Sequence, residues 1–565
     1  MSEAVEQVSA VLDRMGAPPA LAPRLVSVLG PHAALDLDAD PWLLLRLPQV
    51  SVEQADYCAR HHLGEQARPD DPRRLAALTS HVLRRAAARG HTAVEAKRLA
   101  TMVGQVGVPD PSAAVSAAEE REEAVLFEST DDTDDDFDPA DGGVPDLPDP
   151  ERHYALPDVG RAEQRLGEQI LRLIGGNDPV MDSATAGETV DAAAEKYGFE
   201  VTGATRDALV TVALRPVVVL RQGPSSLPEL ARAVLCLHLM AEDSQVGLSV
   251  VAPTAQAAAA LQNAVAELAA DPPVRVETLT ALTERAPLET GLVVLTEAMS
   301  AGVSSAAQLA SACPDGAHLV LAADPHQAPS ASPGQVVIDV ATSRTAHVAQ
   351  LGEAPAAPVQ ELAAGVAAGE VPDVAAPGRE VVRVAASSAE EAAHRTVQLI
   401  TDSIPRALEI APEQTQVVTA REDGPAGARA LNAALKERLN PGRGFDAGDR
   451  VMTDTGDQGY LREVTADGAA VELADGSRTT VSDPASLRHA WALPVAAAHG
   501  GLWPAVVVVL PPNTPVSRPQ VYTALTRATR HVSLVDATGG ALESGVRENA
   551  ALERTTRLVS VLREG

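Results

Sequence analysis

An apolar, β-branched run followed by a Gly-Pro turn and a helical pattern lies near the middle of this sequence. The run is Val217–Leu220, the turn contains Gly223 and Pro224, and apolar residues recur at helical spacing from Ala231 onward. A strand, a loop and a helix in this order form the setting of a phosphate-binding loop, whose backbone N–H groups hold a nucleotide. The sequence therefore predicts an α/β fold organised around this loop.

The residues of the loop do not match the phosphate-binding pattern G-x-x-x-x-G-K-[ST]. Leu227 replaces the second glycine, Pro228 replaces the lysine, and Glu229 replaces the Ser/Thr hydroxyl. Proline has no N–H to offer a phosphate, and a carboxylate is expected to repel a triphosphate where a hydroxyl should help to hold Mg²⁺. We therefore expect a degenerate loop, made of Gly223, Pro224, Ser225, Ser226, Leu227, Pro228 and Glu229.

Composition narrows the class of protein. The chain has 565 residues, enough for two to four domains, and a net charge of −32, whereas a protein that mainly grips phosphates is usually basic. Aromatic residues make up 2% of the chain, so few base-stacking surfaces are expected. Three scattered cysteines, no membrane-length apolar run and no signal-type N-terminus predict a protein of the reducing cytoplasm that does not enter a membrane.

Residues 1–118 have the pattern of short helices. Within them, Leu47–Asp56 is typical of the hairpin of a helix-hairpin-helix unit, which approaches a DNA phosphate through glycine N–H groups. Gln49 and Ser51 occupy the positions where glycines are expected. These two residues are candidate DNA contacts; the alternative is a hairpin that only packs within a helical domain.

Residues 119–151 are strongly acidic, with fifteen acidic residues and one basic residue, Arg121. Charge repulsion and the shortage of apolar residues predict disorder. The segment is interpreted as a solvated linker; the alternatives are a nucleic-acid mimic or a docking segment for a basic protein.

The remaining chain predicts two α/β regions with parallel sheets. A helical connector is expected over 152–200, a first sheet domain over 201–349, and a second over 350–565, with a small inserted β-barrel at about 448–487. The strands are expected at Val217–Leu220, Leu248–Val251, Leu292–Leu295, Leu319–Ala322, Val381–Val384, Gln416–Thr419 and Val506–Leu510.

Five blocks of residues follow one another along the chain: Asp70–Leu75 with Gly90–Thr92, Ala252–Ala258, Asp324–Ser330 with Pro333–Val336, Gly424–Gly427 with Asn440-Pro441, and Tyr522–Ala528. In these residues and in their order the chain resembles the RecD-like DNA helicases of superfamily 1, in the form with an N-terminal helix-hairpin-helix region. The resemblance covers nearly the whole chain outside the acidic segment and implies two RecA-like motor domains. It also implies that Thr254 contacts DNA, that Gln327 senses a γ-phosphate and that Arg527 is an arginine finger.

The sequence departs from the family at several catalytic positions together. Thr296 stands where the family has its Mg²⁺-binding aspartate, and Thr205 stands about where it has the glutamine that reads adenine. The vestigial catalytic residues that fit the pattern are Glu297, Gln327 and Arg527.

The resemblance and its departures lead to a catalytically degenerate homologue with a DNA- or protein-binding role, and no cofactor is expected. The alternative is an active ATP-dependent 5′→3′ DNA helicase, for which ATP and Mg²⁺ would be needed. A third hypothesis is a regulator that competes for a basic partner through residues 119–151. Single-stranded DNA, bound weakly, is a candidate partner.

Overall fold

The computed structural model describes residues 3–129, 151–176, 178–465 and 468–564. The chain divides into two compact units: Met1–Gln164 together with Arg554–Ser560, and Arg165–Glu553 together with Val561–Gly565. No helix in these described ranges is long and apolar enough to cross a membrane.

The first unit is mainly helical, because apolar residues recur on one face of each helix. In the first helix, Val8, Leu12 and Met15 share a buried face. Asp40 caps a 3₁₀ helix at Pro41–Arg46 by accepting a hydrogen bond from the Trp42 N–H (3.2 Å), and the Trp42 side chain fills the core. The helices are α1 (Glu3–Met15), α2 (Ala22–Leu29), α3 (Ala33–Ala39), α4 (Val52–Leu63), α5 (Pro72–Ala87), α6 (Ala96–Gln105), α7 (Pro111–Glu120) and α8 (Pro157–Gly176).

A three-stranded antiparallel sheet follows, formed by β1 (Val94–Glu95), β2 (Val125–Ser129) and β3 (Glu151–Ala155) in the order β1-β3-β2. Residues 119–120 end α7, residues 125–129 form β2 and residue 151 begins β3, so the prediction of disorder over all of 119–151 is wrong for these residues. Val125, Leu126 and Phe127 favour a β-strand. The many acidic residues around them had instead led to the prediction of disorder. The remainder of that prediction, residues 130–150, lies outside the described residues.

Residues 554–560, which we call the returning segment, complete the first unit. Thr92 donates its backbone N–H to Thr555 O (3.0 Å), and the Arg557 guanidinium lies 3.5 Å from the centroid of the Phe127 ring. The buried Glu163 Oε1 accepts from Thr92 Oγ1 (2.7 Å) and from the N–H groups of Arg557 (2.9 Å) and Leu558 (3.2 Å). The first unit is thus built from two segments that are far apart in the sequence.

The second unit begins with a six-stranded parallel sheet of order β6-β5-β7-β8-β4-β9. Four of its strands are the predicted apolar runs, and β6 and β9 at the edges are additional. The strands are β4 (Val217–Arg221), β5 (Leu248–Ala252), β6 (Val276–Thr278), β7 (Leu292–Leu295), β8 (His318–Ala323) and β9 (His347–Gln350). The helices around it are α9 (Ser183–Tyr197), α10 (Gly203–Leu214), α11 (Leu227–Ser244), α12 (Ala255–Leu268), α13 (Leu279–Glu284), α14 (Val303–Ala312) and α15 (Val336–Ser343).

A second parallel sheet, of order β10-β19-β18-β11-β17, and an antiparallel sheet, of order β15-β14-β13-β12-β16, complete the second unit. The strands are β10 (Val381–Ala385), β11 (Thr415–Thr419), β12 (Arg450–Met452), β13 (Gln458–Thr465), β14 (Gly468–Leu473), β15 (Arg478–Val481), β16 (Arg488–His489), β17 (Ala492–Pro494), β18 (Trp503–Leu510) and β19 (Ala528–Asp536). The helices are α16 (Pro358–Ala367), α17 (Ala389–Gln398), α18 (Ile404–Leu408), α19 (Ala428–Leu439), α20 (Arg518–Leu525), α21 (Ala541–Glu548) and α22 (Leu558–Glu564).

The antiparallel sheet is the small inserted β-unit expected from the sequence. It is inserted between β11 and β17 and has an apolar core of its own, formed by Val451, Leu461, Ala469, Val471 and Leu487. Two parallel α/β sheets, an inserted β-unit and a preceding helical region confirm the predicted fold class. The domain boundaries at 118, 200 and 349 stay predictions.

Candidate functional site

The loop between β4 and α11 forms hydrogen bonds within the chain instead of presenting its polar groups. The buried Ser226 Oγ accepts from the Gly223 N–H (2.9 Å) and donates to Gly352 O (3.2 Å). The Glu353 carboxylate lies directly against Gly223, where an added Cβ would collide with it. A loop that binds phosphate needs free N–H groups and no nearby anion; here one N–H is occupied and an anion lies beside the loop.

Glu229 is buried, with about 1% of its surface exposed, and its carboxylate has partners inside the protein. Oε2 accepts a hydrogen bond from Thr205 Oγ1 (2.7 Å), and the other carboxylate oxygen pairs with Arg232. Thr205 Oγ1 also accepts from the Gly352 N–H (3.0 Å). The charge of Glu229 is therefore balanced within the protein by the Arg232 guanidinium and the Thr205 hydroxyl. That this carboxylate would repel a triphosphate stays a prediction.

Thr205 and Glu229 are two of the positions at which the sequence departs from the helicase pattern. The structure joins them by a direct hydrogen bond across 24 residues of sequence. Both substitutions are visible in the sequence, but their contact is not, and no sequence motif marks Arg232 or Glu353 as part of the site.

Thr296 follows β7 and is buried against the neighbouring strand. Its Oγ1 donates to Val251 O (3.2 Å), so its hydroxyl hydrogen is used by the sheet. The next residue, Glu297, has left-handed backbone angles (φ 48°, ψ 37°), which are uncommon for a residue other than glycine. This turn places the Glu297 carboxylate in the cleft between the two parallel sheets.

Three predicted residues meet in that cleft. Arg527 Nη1 lies 3.7 Å from Glu297 Oε2. With its amide oriented to satisfy both neighbours, Gln327 donates to Glu297 Oε2 (3.2 Å) and accepts from Arg527 Nη2 (2.9 Å). The guanidinium is further fixed by Nε, which donates to Thr523 O (3.2 Å). Glu297, Gln327 and Arg527 thus form a direct contact between the segments that carry them.

Two further hydrogen bonds join the same segments. Tyr522 donates its hydroxyl to Asp324 Oδ2 (2.6 Å), and Ala328 donates its N–H to Thr523 Oγ1 (2.7 Å). Burial raises the pKa of Asp324 to about 7, although the hydrogen bonds from Tyr522 and from the His326 N–H act to lower it. A carboxyl with this pKa is partly protonated near neutral pH.

These groups line a cavity of about 450 Å³, a volume within the range of small-molecule sites. Leu227 and Pro228 contribute apolar surface where a phosphate-binding loop would contribute N–H groups and a lysine. Among the charged groups lining the cavity, Glu267, Glu297 and Asp324 outnumber Arg527. With three carboxylates and one guanidinium among its charged groups, this lining is a poor electrostatic match for the negative charge of a triphosphate.

The candidate DNA contacts lie in separate places. Thr254 is the N-cap residue of α12, but its side chain caps no N–H, and its buried Oγ1 has no hydrogen-bond partner. Ser51 is the N-cap of α4, where its N–H donates to Gln54 Oε1 (2.8 Å) and its Oγ accepts from the Gln54 N–H (3.3 Å). Gln49 lies in the exposed turn before it. The N–H of Ser51 is therefore already used inside the hairpin.

Comparisons with known proteins give matches along the chain. Family models match at residues 1–93 (ATP-dependent RecD2 DNA helicase HHH domain), 233–373 (AAA domain) and 489–535 (UvrD-like helicase C-terminal domain). The ATP-dependent RecD2 DNA helicase of Deinococcus radiodurans is 27% identical over 542 residues, which cover 90% of this chain and 71% of that protein.

Solved structures of helicases are also similar to parts of the chain. Pif1 helicase from Candida albicans aligns with a TM-score of 0.37 and 14% identity over 64% of this chain and 97% of that chain. Pif1 helicase from Bacteroides, in complex with ADP-AlF3 and ssDNA, aligns with a TM-score of 0.36 and 13% identity over 60% of this chain and 93% of that chain.

Proposed function

We propose that this chain, a RecD-like protein of superfamily 1, is a catalytically degenerate member of its family. It keeps the two-sheet motor fold as a platform for binding DNA or protein in DNA metabolism and does not hydrolyse ATP. Any bound strand would be held weakly, because the net charge of the whole chain is −32.

The observation that carries this proposal is the buried contact of Glu229 with Thr205 and Arg232. A loop that had only lost its lysine could still bind a nucleotide weakly. Here the position of the Mg²⁺ hydroxyl holds a carboxylate with about 1% exposure, and this carboxylate is hydrogen-bonded to the position of the adenine-reading residue. Binding ATP in the family manner would require this buried polar cluster to be broken.

The size of the losses supports the same conclusion. Phosphoryl transfer depends on positioning and on cationic stabilisation of the phosphates. The loop lacks the lysine and the Mg²⁺ hydroxyl, and Thr296 replaces the Mg²⁺ carboxylate. Each loss costs on the order of 3 kcal/mol, or ~100-fold in rate, although such effects are not additive. The AAA domain match begins at residue 233, beyond the loop residues.

The alternative is an active ATP-dependent 5′→3′ DNA helicase, and one observation favours it. Glu297, Gln327 and Arg527 meet in the cleft with side-chain distances of 2.9–3.7 Å. The resemblance to RecD-like helicases implies that these three residues occupy, in this order, the positions that activate water, sense the γ-phosphate and supply the arginine finger. In this chain the three residues bond to one another, so the cluster also serves as a direct connection across the cleft.

Calorimetric titration with Mg-ATP and a turnover assay with and without single-stranded DNA separate the two functions. We expect no heat of binding and turnover below about 0.1 s⁻¹, far below the ~10 s⁻¹ of a median enzyme. The Deinococcus radiodurans RecD2 helicase, assayed in parallel, is the positive control.

A Glu297→Gln variant is the control for turnover by a contaminating ATPase. DNA-stimulated turnover above about 0.1 s⁻¹ that is lost in Glu297→Gln would establish an ATPase in this chain, refute the degenerate site and favour the helicase. Turnover that Glu297→Gln leaves unchanged would come from another protein.

DNA binding forms the second part of the proposal. We expect micromolar or weaker affinity for a labelled single strand, falling steeply as salt rises and unchanged by Mg-ATP, because no nucleotide site remains to alter it. Fluorescence anisotropy at two salt concentrations measures both properties. Nanomolar affinity, or an ATP-dependent change beyond about threefold, would favour the helicase. A basic protein bound through residues 119–151 is the corresponding proposal for a protein partner.

A further inference from the structure

A second cavity of the second unit, with a volume of about 380 Å³, is lined by α12 and by the first two strands of the inserted β-unit. It adjoins the cleft cavity, since Leu227 and Leu502 line both. Glu297, Gln327 and Arg527 do not line it. Its wall is mainly apolar, and its volume lies within the range of small-molecule sites. The residues of α12, β12 and β13 that line it include Ala259, Ala264, Leu268, Arg450 and Tyr460.

Arg450 presents a buried guanidinium to this cavity. About 6% of Arg450 is exposed, and its Nη1 donates to Thr415 O (3.1 Å), whereas its Nε and Nη2 form no hydrogen bond with the described residues. The guanidinium lies 5.7 Å from the centroid of the Trp503 ring, a contact that occupies none of these N–H groups. Arg450 is paired with Tyr460 across β12 and β13, so both side chains lie on the same face of the sheet.

Arg450 differs from another buried arginine of the chain in having no acidic partner. Arg74 has about 8% exposure and lies 2.8 Å from Asp56, whereas Arg450 forms no ion pair with any described residue. Burial lowers the pKa of Arg450, and Tyr460 and the exposed Glu413 act against this effect. A buried charge without a counter-ion is unfavourable, and an arginine stays protonated at neutral pH. The partner that this group lacks is therefore an anion from outside the chain.

We propose that this cavity binds a small organic carboxylate, whose charged group pairs with Nε and Nη2 of Arg450 and whose apolar body packs against α12. A carboxylate matches the planar edge of a guanidinium with two parallel hydrogen bonds. Its single negative charge balances one guanidinium, whereas a phosphate monoester would bring further charge into a buried site. Glu267, the other charged residue of the lining, is exposed to water. The site needs no nucleotide and goes beyond the proposed function.

Calorimetric titration of the full-length chain with 3-phenylpropionate tests this proposal. We expect at least tenfold tighter binding than for 3-phenylpropanamide, which has a similar shape and no charge, and than for phenyl phosphate. Arg450→Met should weaken the binding of 3-phenylpropionate at least tenfold. Arg478→Met is the matched control: Arg478 lies exposed on β15 of the same β-unit, and its substitution changes the net charge equally. We expect less than a twofold effect from this control.

Ala264→Leu provides a second variant in case Arg450→Met disturbs the β-unit. Ala264 lines this cavity and does not line the cleft cavity, so the larger side chain narrows the site and leaves Arg450 in place. We expect at least tenfold weaker binding and a melting temperature close to that of the parent. Ala266→Leu, at an exposed position of the same helix, should have less than a twofold effect.

Four results would overturn the proposal: no binding of 3-phenylpropionate at millimolar concentrations, equal affinities for the acid and its amide, tighter binding of phenyl phosphate, or binding that neither Arg450→Met nor Ala264→Leu weakens. The Mg-ATP titration is independent of these measurements. Failure of the carboxylate site and failure of the degenerate-site proposal are therefore separate outcomes.

Discussion

At the scale of single residues, the carboxylates of the site form hydrogen bonds or ion pairs with other groups of the protein. Glu229 is neutralised by Arg232 and Thr205, and Glu297 lies near Arg527. Asp324 differs from them because its direct hydrogen-bond partners are uncharged: the Tyr522 hydroxyl and the His326 N–H. Substitution of each of the three carboxylates therefore removes a different set of contacts.

Asp324 should make stability depend on pH. Its pKa in the folded chain is about 7, above the ordinary value of 3.8, so the folded state holds the proton more tightly than the unfolded state. The stabilising contribution is complete below about pH 4 and is lost as pH rises through 7. Asp324→Asn should flatten the fall in melting temperature across this window, as measured by thermal unfolding. Exposed Asp271→Asn is the control; an unchanged slope in Asp324→Asn would contradict the assignment.

Thr205 should be a stabilising residue even though no ligand touches it. Thr205→Val removes the donor to Glu229 and leaves a buried carboxylate short of one hydrogen bond, at a cost of about 2 kcal/mol. Thr211→Val, on the same helix α10, removes only an exposed hydroxyl bond to Asp207 O and is the matched control. Urea unfolding measures the free energy of unfolding of both variants. Equal losses would show that the Thr205–Glu229 hydrogen bond stabilises the fold no more than the exposed one does.

At the scale of elements, the four interior strands of the first parallel sheet were predictable and its two edge strands were not. Val217–Leu220 and Leu292–Leu295 are continuous apolar runs in the sheet interior, and both were placed within a residue of the observed strand. β9 (His347–Gln350) lies at a sheet edge with mostly exposed side chains, so its sequence carries no apolar signal.

The candidate site was predictable to the extent that it follows short sequence motifs. Gln327 and Arg527 were singled out because each lies in a recognisable block, and Glu297 because it closely follows the apolar run Leu292–Leu295. The structure brings the three side chains together. The hydrogen bond between the Ala255 N–H and the Asp457 carboxylate joins residues 202 positions apart, and no local sequence pattern predicts it. Contacts of this range are set by the packing of whole elements.

The pairing of β2 with β3 predicts how the acidic region should respond to deletion. Removing 131–149 and joining the ends with a short Gly-Ser linker should leave the melting temperature nearly unchanged, because the removed residues are largely acidic and contribute little apolar surface. Removing 119–151 also deletes β2 and should lower the melting temperature by several degrees. Equal melting temperatures for the two deletions would contradict a structural role for β2.

At the scale of the whole molecule, the division into units does not follow the order of the chain. The first unit takes residues 554–560 from the far end of the sequence, and the second unit contains both parallel sheets. Loss of a short distal segment is therefore expected to damage a unit whose other residues lie before position 165.

Truncation after Glu553 should destabilise the first unit more than the second, which loses only Val561–Gly565. It removes two N–H donors from the buried Glu163 and the Arg557 guanidinium from the Phe127 ring. Hydrogen exchange should show lost protection in residues 90–92 and 151–164, with strands β4 and β7 unaffected. Glu163→Gln in the full-length chain is the milder comparison, because it keeps the Oε1 acceptor. Unchanged protection in residues 90–92 after truncation would refute the structural role of the returning segment.

The returning segment also determines when the first unit can finish folding during translation. Residue 554 is synthesised about 390 residues after residue 164, which at ~5–20 residues per second takes on the order of 20–80 s. Throughout that interval the nascent first unit has an unfilled groove at Thr92, Phe127 and Glu163, accessible to chaperones and proteases. The first unit is thus completed only after the second unit has been almost fully synthesised.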